Sequence, residues 1–221
     1  FNSTEDLSNI NERSACVILE TIQGGAGFIQ PVDDYLLKVK KRCEEVGALL
    51  ILDEIQPGFG RTGRLFGFMN YHVTPDILVM GKGMAGGMPI GAFTASYDMM
   101  AQLKEAPKMG HITTFGGHPV SCAAALSTLQ TLVQNSSIIN SIPTKEKLFR
   151  KGLEHPLVRE IRGVGLMLAI ELGDDEKCRN FVELAYTKGL ITFFFLFTGT
   201  AVRLSPPLII TEEEIQTACK K

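Results

Sequence analysis

Short continuous apolar runs alternate with stretches of helical periodicity along most of this chain, the pattern of parallel strands covered by helices. Ala15-Cys16-Val17-Ile18-Leu19 reads as a first strand. Pro31 then opens a predicted helix in which Val32, Tyr35, Leu36, Val39, Cys43 and Val46 recur at intervals of three and four, making one buried stripe that Gly47 ends. Ala48 to Leu52, Asp76 to Met80 and Ile90 to Ser96 supply three more predicted strands, with glycine and proline punctuating each gap. From Pro119 to about Val133 the sequence is rich in Ala and Leu and free of breakers, which predicts a long helix with proline in its first turn, linking two domains.

Beyond Asn135 the pattern changes. A helix is predicted around Lys145 to Leu153, a strand at Leu166 to Glu171, a helix at Lys177 to Lys188, and strand-like runs at Leu190 to Phe197 and Val202 to Ser205. Thr211 with Glu212, Glu213 and Glu214 forms a capping box for a last helix. The reading is therefore α/β, with a doubly wound domain over 1–135 and a smaller α+β domain over 136–221.

Composition narrows the function. With 221 residues, 45% of them hydrophobic, the chain can bury a sizeable core, and a formal charge of -2 with scattered Lys and Arg gives no basic stripe for nucleic acid. Cys16, Cys43, Cys122, Cys178 and Cys219 lie far apart without a C-x-x-C, an odd set that reads as reduced thiols in a cytoplasmic protein. His72, His111, His118 and His155 share no metal-ligand spacing and read as structural, so no metal is expected. No apolar run approaches the ~20 residues of a membrane span. The chain starts at Phe1 without a secretory n-region or h-region, and reads as incomplete.

Two stretches carry chemistry. In Leu49 to Gln56 the pair Asp53-Glu54 follows a fully apolar strand, so carboxylates emerge at the strand's C-terminal end, the edge where open parallel sheets bind ligands. Asp53 as a helix N-cap is the plain alternative. An ATPase metal-binding acid is another, but it needs G-x-x-x-x-G-K-[ST], and Gly81-Lys82 is followed by Gly83 with Asp at position 76. Gly81-Lys82-Gly83-Met84-Ala85-Gly86 also matches the dinucleotide pattern, yet Gly86-Gly87-Met88-Pro89 and Gly91 would break the helix such a site requires. What remains is a lysine at a strand end, flanked by glycines and near Asp53. A lysine amine condenses with an aldehyde, and a carboxylate can keep a pyridine nitrogen protonated so that the ring accepts electrons. That pairing describes pyridoxal phosphate.

Glu20-Thr21-Ile22-Gln23-Gly24, Leu52-Asp53-Glu54-Ile55-Gln56-Pro57-Gly58-Phe59-Gly60-Arg61-Thr62-Gly63, Gly81-Lys82-Gly83, Thr113-Thr114-Phe115-Gly116-Gly117 and Val202-Arg203-Leu204-Ser205-Pro206-Pro207-Leu208 stand in the order of the motifs of class III aminotransferases, and the chain resembles that family from about residue 10 to its end. The resemblance implies a fold type I pyridoxal 5′-phosphate enzyme, with the later part of the large domain in 1–135 and the small domain in 136–221. It implies Lys82 as the Schiff-base lysine and proton shuttle, Asp53 on the pyridinium nitrogen and Gln56 on the ring's 3′ oxygen. Thr114, with Thr113 beside it, resembles the residue that reaches the cofactor phosphate of the partner subunit in a homodimer. Arg203 resembles an arginine that clamps a substrate carboxylate, and Glu20 supports the site. The implied reaction moves an amino group, from an ω-amine such as that of ornithine, acylated ornithine, lysine or 4-aminobutyrate, to 2-oxoglutarate or pyruvate.

The sequence also departs from that family. Position 25 is Gly, where a glutamate that pairs with the carboxylate-binding arginine is usual; Pro57 and His118 stand where Thr or Ser and Asn are usual. The family's phosphate cup and ring-stacking aromatic have no counterpart in these 221 residues. Two alternatives follow: a decarboxylase, racemase or aminomutase on the same scaffold, and a non-catalytic truncated chain that serves as a dimerisation or binding module.

Overall fold

The computed structural model describes residues 1–104 and 112–221, which divide into two compact units. The first takes Phe1–Thr21, Pro31–Phe59 and Phe68–Gln134; the second takes Ile22–Gln30, Gly60–Gly67 and Asn135–Lys221. Two short excursions of the earlier sequence thus pack with the later part, which no single cut near residue 135 can express.

In the first unit β1 (Cys16–Glu20) is followed by α1 (Tyr35–Val46), β2 (Leu49–Asp53), β3 (Ile77–Met80) and β4 (Ala92–Thr94), and the strands pair in the order β1-β2-β3-β4. The first three are parallel, but β4 runs antiparallel to β3, a correction to the all-parallel expectation. The link from Met80 to Ala92 explains it: it holds only a single 3₁₀ turn over Lys82–Ala85, whereas a parallel return needs a crossover of a dozen residues or more. α1 buries Tyr35, Leu36, Val39 and Cys43 against Leu50 and Leu52 of β2 and Val73. It starts four residues later than the apolar spacing predicts: Asp33 takes a φ of 44°, which no helical turn tolerates, and Val32 is left exposed. Gly47, at φ 76°, ends it as expected. Two stitches hold the strands in place. Asp76 accepts the Leu50 N–H at 2.8 Å and pairs with Lys40 of α1 at 2.7 Å. The fully buried Glu54 carboxylate accepts the Thr21 hydroxyl at 2.6 Å and the Phe68 N–H at 2.7 Å. A short α2 (Tyr97–Ala101) and the long α3 (Pro119–Gln134) complete the unit.

The second unit contains α4 (Ser136–Asn140), α5 (Ile142–Gly152), β5 (Glu160–Val164), β6 (Met167–Glu171), α6 (Asp175–Thr187), β7 (Phe193–Phe194), β8 (Ala201–Leu204) and α7 (Glu212–Lys220). Its sheet is antiparallel, in the order β5-β6-β8-β7. Ile142, Phe149, Leu166, Leu168 and Ile215 form one buried cluster, and Ile170, Leu172, Cys178 and Val202 another. The β5–β6 hairpin turns at Gly165-Leu166; Gly165 has a φ of 63°, and a Cβ there would lie 2.5 Å from the Arg61 carbonyl, so both backbone and space demand glycine. Thr211 caps α7, exchanging bonds with Glu214 in the expected capping box.

Candidate active site

The parallel register of the first sheet brings the acidic candidates to one edge. Glu20 is the register partner of Asp53, and Asp53 of Val79, so both carboxylates leave the sheet at the C-terminal ends of β1 and β2, with Lys82 three residues beyond Val79. Asp53 caps no helix, since no α-helix follows it before residue 97. Its Oδ1 instead accepts the N–H of Ile55 at 2.8 Å, a local turn that fixes the carboxylate's direction. Gln56 follows three residues on, half-buried in the same turn-rich segment.

Lys82 opens the 3₁₀ turn, and its side chain is exposed. Its φ is 42°, left-handed backbone that a non-glycine residue adopts at a cost of about 1–3 kcal/mol. Gly81 precedes it in extended conformation and accepts the Met84 N–H at 3.0 Å, while Gly86 closes the turn at φ 58°. No α-helix begins here, so the dinucleotide pattern is a coincidence of spelling.

Thr113 and Thr114 lie exposed in the turn before α3, where the Gly116 N–H reaches the Thr113 carbonyl at 3.4 Å. A Cβ at position 116 would lie 2.2 Å from the Thr113 hydroxyl, so glycine keeps that hydroxyl accommodated. His118 stands at the start of α3, where its Nδ1 accepts the Val120 N–H at 3.3 Å and its carbonyl accepts the Cys122 N–H at 2.9 Å. His155 similarly accepts the Leu157 N–H at 3.2 Å. His72 is exposed, and His111 lies outside the described residues. Among the described residues no three His, Cys, Asp or Glu side chains are grouped to hold a metal.

Arg203 belongs to the second unit, on β8. Its Nε donates to the Ser205 hydroxyl at 3.1 Å, and its Cζ sits over the Phe28 ring, 5.2 Å from the centroid. Burial lowers its pKa. Arg61, quoted above only as part of a motif, proves to be a more deeply buried guanidinium of the same unit: it donates to the Leu166 carbonyl at 3.3 Å and to that of Pro206. Burial, and then the charge of Arg203, depress its pKa. An arginine between glycines at the end of a motif was the available signal, since a buried guanidinium is kept where several carbonyls converge.

The first unit thus carries a primary amine, carboxylates and an amide along one sheet edge, and two hydroxyls in a glycine turn; the second unit, taken by itself, carries the guanidiniums of Arg203 and Arg61. A sequence profile described as aminotransferase class-III matches residues 2–221. The acetylornithine aminotransferase of Caldanaerobacter subterraneus is 41% identical over 225 residues, covering 99% of this chain and 55% of that protein. An ornithine aminotransferase structure from Toxoplasma gondii, with pyridoxal phosphate at partial occupancy in its active site, superposes with a TM-score of 0.85 at 34% identity, over 95% of this chain and 50% of that one. For the acetylornithine aminotransferase of Elizabethkingia anophelis the TM-score is 0.86 at 32% identity, over 97% and 56%. The chain thus spans about half the length of the relatives it matches. The amine, the carboxylates and the hydroxyls are groups that suit pyridoxal 5′-phosphate, the cofactor of these enzymes, and with this fold and these matches the chain belongs to the class III aminotransferase family.

Proposed function

We propose that the complete protein is a pyridoxal-phosphate-dependent aminotransferase that moves the terminal amine of an ornithine-type amino acid to a 2-oxo acid such as 2-oxoglutarate or pyruvate. The observation that carries this reading is the register Glu20–Asp53–Val79, which sets two carboxylates and the Lys82 turn along one carboxyl edge. The curated relative's name, acetylornithine aminotransferase, and the ornithine aminotransferase structures support the substrate class.

When bound, pyridoxal phosphate supplies an aldehyde that condenses with amines and a ring that accepts an electron pair. Lys82 would offer the amine that holds the aldehyde, and the same amine would serve as the base toward the proton on the substrate's amine-bearing carbon. Asp53, its direction fixed by the Ile55 N–H, would hold a proton on the pyridine nitrogen. Gln56 would donate to the ring's 3′ oxygen, and Glu20 would support the charge balance beside Asp53. Thr113 and Thr114 offer hydroxyls to a phosphate across a homodimer, a state in keeping with α3, where Leu126 and Val133 are more than half exposed. Arg203 receives a substrate carboxylate. Apart from the excursions Ile22–Gln30 and Gly60–Gly67, the segments 1–135 and 136–221 would then be the later part of the large domain and the small domain of a cytoplasmic enzyme.

The test is Arg203→Ala in the full-length holoenzyme. A lost charge-assisted pair, worth about 1.5–3 kcal/mol, raises KM for the 2-oxo acid roughly ten- to hundredfold without releasing cofactor. Unchanged kinetics with every carboxylate substrate would remove Arg203 from the site.

A further inference from the structure

Phe28 has no counterpart in the roles assigned so far, yet the structure holds it with unusual firmness. Its side chain is fully buried, and its ring meets Phe195 at right angles with the centroids 4.8 Å apart. Its backbone sits at φ 56°, a left-handed conformation that costs a bulky residue energy and persists only where the surroundings determine it. Those surroundings are identifiable. The loop Ile22–Gln30 is closed by the Gln23 N–H bonding the Ile29 carbonyl at 2.9 Å. The neighbouring Gly27 carbonyl accepts from Arg162 Nε at 2.7 Å, and Arg162 is itself anchored to Glu171 at 2.8 Å.

The object of that firmness is the guanidinium above the ring. Arg203 Cζ lies 5.2 Å from the Phe28 centroid, inside the range in which a ring's negative face attracts a cation. Burial strips water from the Arg203 guanidinium, and the ring's negative face offsets part of that cost. Position 25, in the same loop, contributes no side chain; a Cβ there would lie 2.9 Å from the Phe197 ring, so aromatic surface fills the space beside it.

We propose that Phe28 is a positioning residue for carboxylate binding, its buried ring fixing the Arg203 guanidinium over its face for the carboxylate of an amino-acid or 2-oxo-acid substrate. This rests on the reading that Arg203 receives that carboxylate. The ring is a neutral surface, so it orders the arginine without bringing a carboxylate of its own to the guanidinium.

Replacing Phe28 in the full-length holoenzyme by phenylalanines carrying one, two and then more fluorines preserves the ring's shape while draining its negative face. The quantity read is the inhibition constant of glutarate, a dicarboxylate that cannot react, together with kcat and KM for 2-oxoglutarate. Ki and KM should rise stepwise with fluorination, to about fivefold, with kcat and the visible cofactor band unchanged. Phe28→Leu should reach a similar Ki without the steps. A flat fluorine series alongside a raised Ki in Arg203→Ala would overturn the role of Phe28. A Ki unmoved even by Arg203→Ala would instead overturn the reading of Arg203 on which the proposal rests.

Discussion

Lys82 joins an exposed side chain to a backbone at φ 42°, and that combination separates stability from chemistry at one residue. Glycine accepts this backbone freely, whereas an L-residue other than glycine spends about 1–2 kcal/mol there, partly offset by glycine's extra chain entropy of roughly 0.5–1 kcal/mol. Lys82→Gly is therefore expected to leave the full-length apoprotein at least as resistant to urea as the parent, by up to ~1 kcal/mol, while turnover disappears. A clear loss of stability would show that the lysine side chain holds the turn together. Asp53 makes the opposite case, because its Oδ1 already serves a structural bond to Ile55 that an amide oxygen can take over. Asp53→Asn should keep fold and cofactor but lose 10²- to 10⁴-fold in kcat, about 3–5 kcal/mol of transition-state stabilisation, since an amide cannot hold the pyridinium proton. Steady-state rates beside a cofactor absorbance titration separate the two effects. The placement of both residues at the sheet edge was legible from their positions after apolar runs. Arg61 and Phe28 were not, because what distinguishes them is a neighbour far away in sequence: Leu166 and Pro206 for one, Arg203 for the other.

Among the elements, the stitch at Asp76 makes the most testable statement. Burial opposes the charge on its carboxyl, but the bonds from Lys40 and from the Leu50 N–H together outweigh that and hold its pKa below the usual value. A depressed carboxyl contributes stability that is fully present above the unfolded value of ~3.9 and is lost as pH falls through the folded one. Asp76→Asn should accordingly destabilise the protein by about 1–3 kcal/mol at pH 7, and urea unfolding should show that gap narrowing as the pH is taken below about 4. An undiminished gap in acid would place the effect in packing rather than charge. Several elements were readable from the sequence: α1 from its apolar spacing, β2 from its continuous apolar run and α3 from an Ala- and Leu-rich stretch without a breaker. β5 escaped because Glu160-Ile161-Arg162-Gly163-Val164 carries two charges and a glycine, and is a strand only through its partner β6. The reverse error occurred at Leu190–Phe197, where aromatic composition promised a strand but only Phe193–Phe194 pair, at the sheet edge. Composition reports preference, and pairing decides.

At the scale of the whole molecule, the relatives that this chain matches are about twice its length. Gly25 brings no carboxylate of its own to the loop Ile22–Gln30, so the loop adds no charge that favours a dicarboxylic acceptor over a monocarboxylic one, and pyruvate should be used alongside 2-oxoglutarate. Acceptor kcat/KM values for the parent and Gly25→Glu check this; a strong preference for 2-oxoglutarate, unaltered by the substitution, would assign the discrimination to another residue. The sequence reached the family because five motifs fall in order, and it reached the sheet edge because those motifs follow apolar strands. How the strands pair had to come from the fold. The central claim, that Lys82 is the amine that takes the cofactor, has a direct measurement. The full-length protein loaded with pyridoxal phosphate is reduced with borohydride, digested, and its labelled peptide identified by mass spectrometry. The account predicts a visible absorption band that reduction abolishes and a single permanent label on Lys82; a label on any other lysine, or a cofactor washed away after reduction, would contradict it.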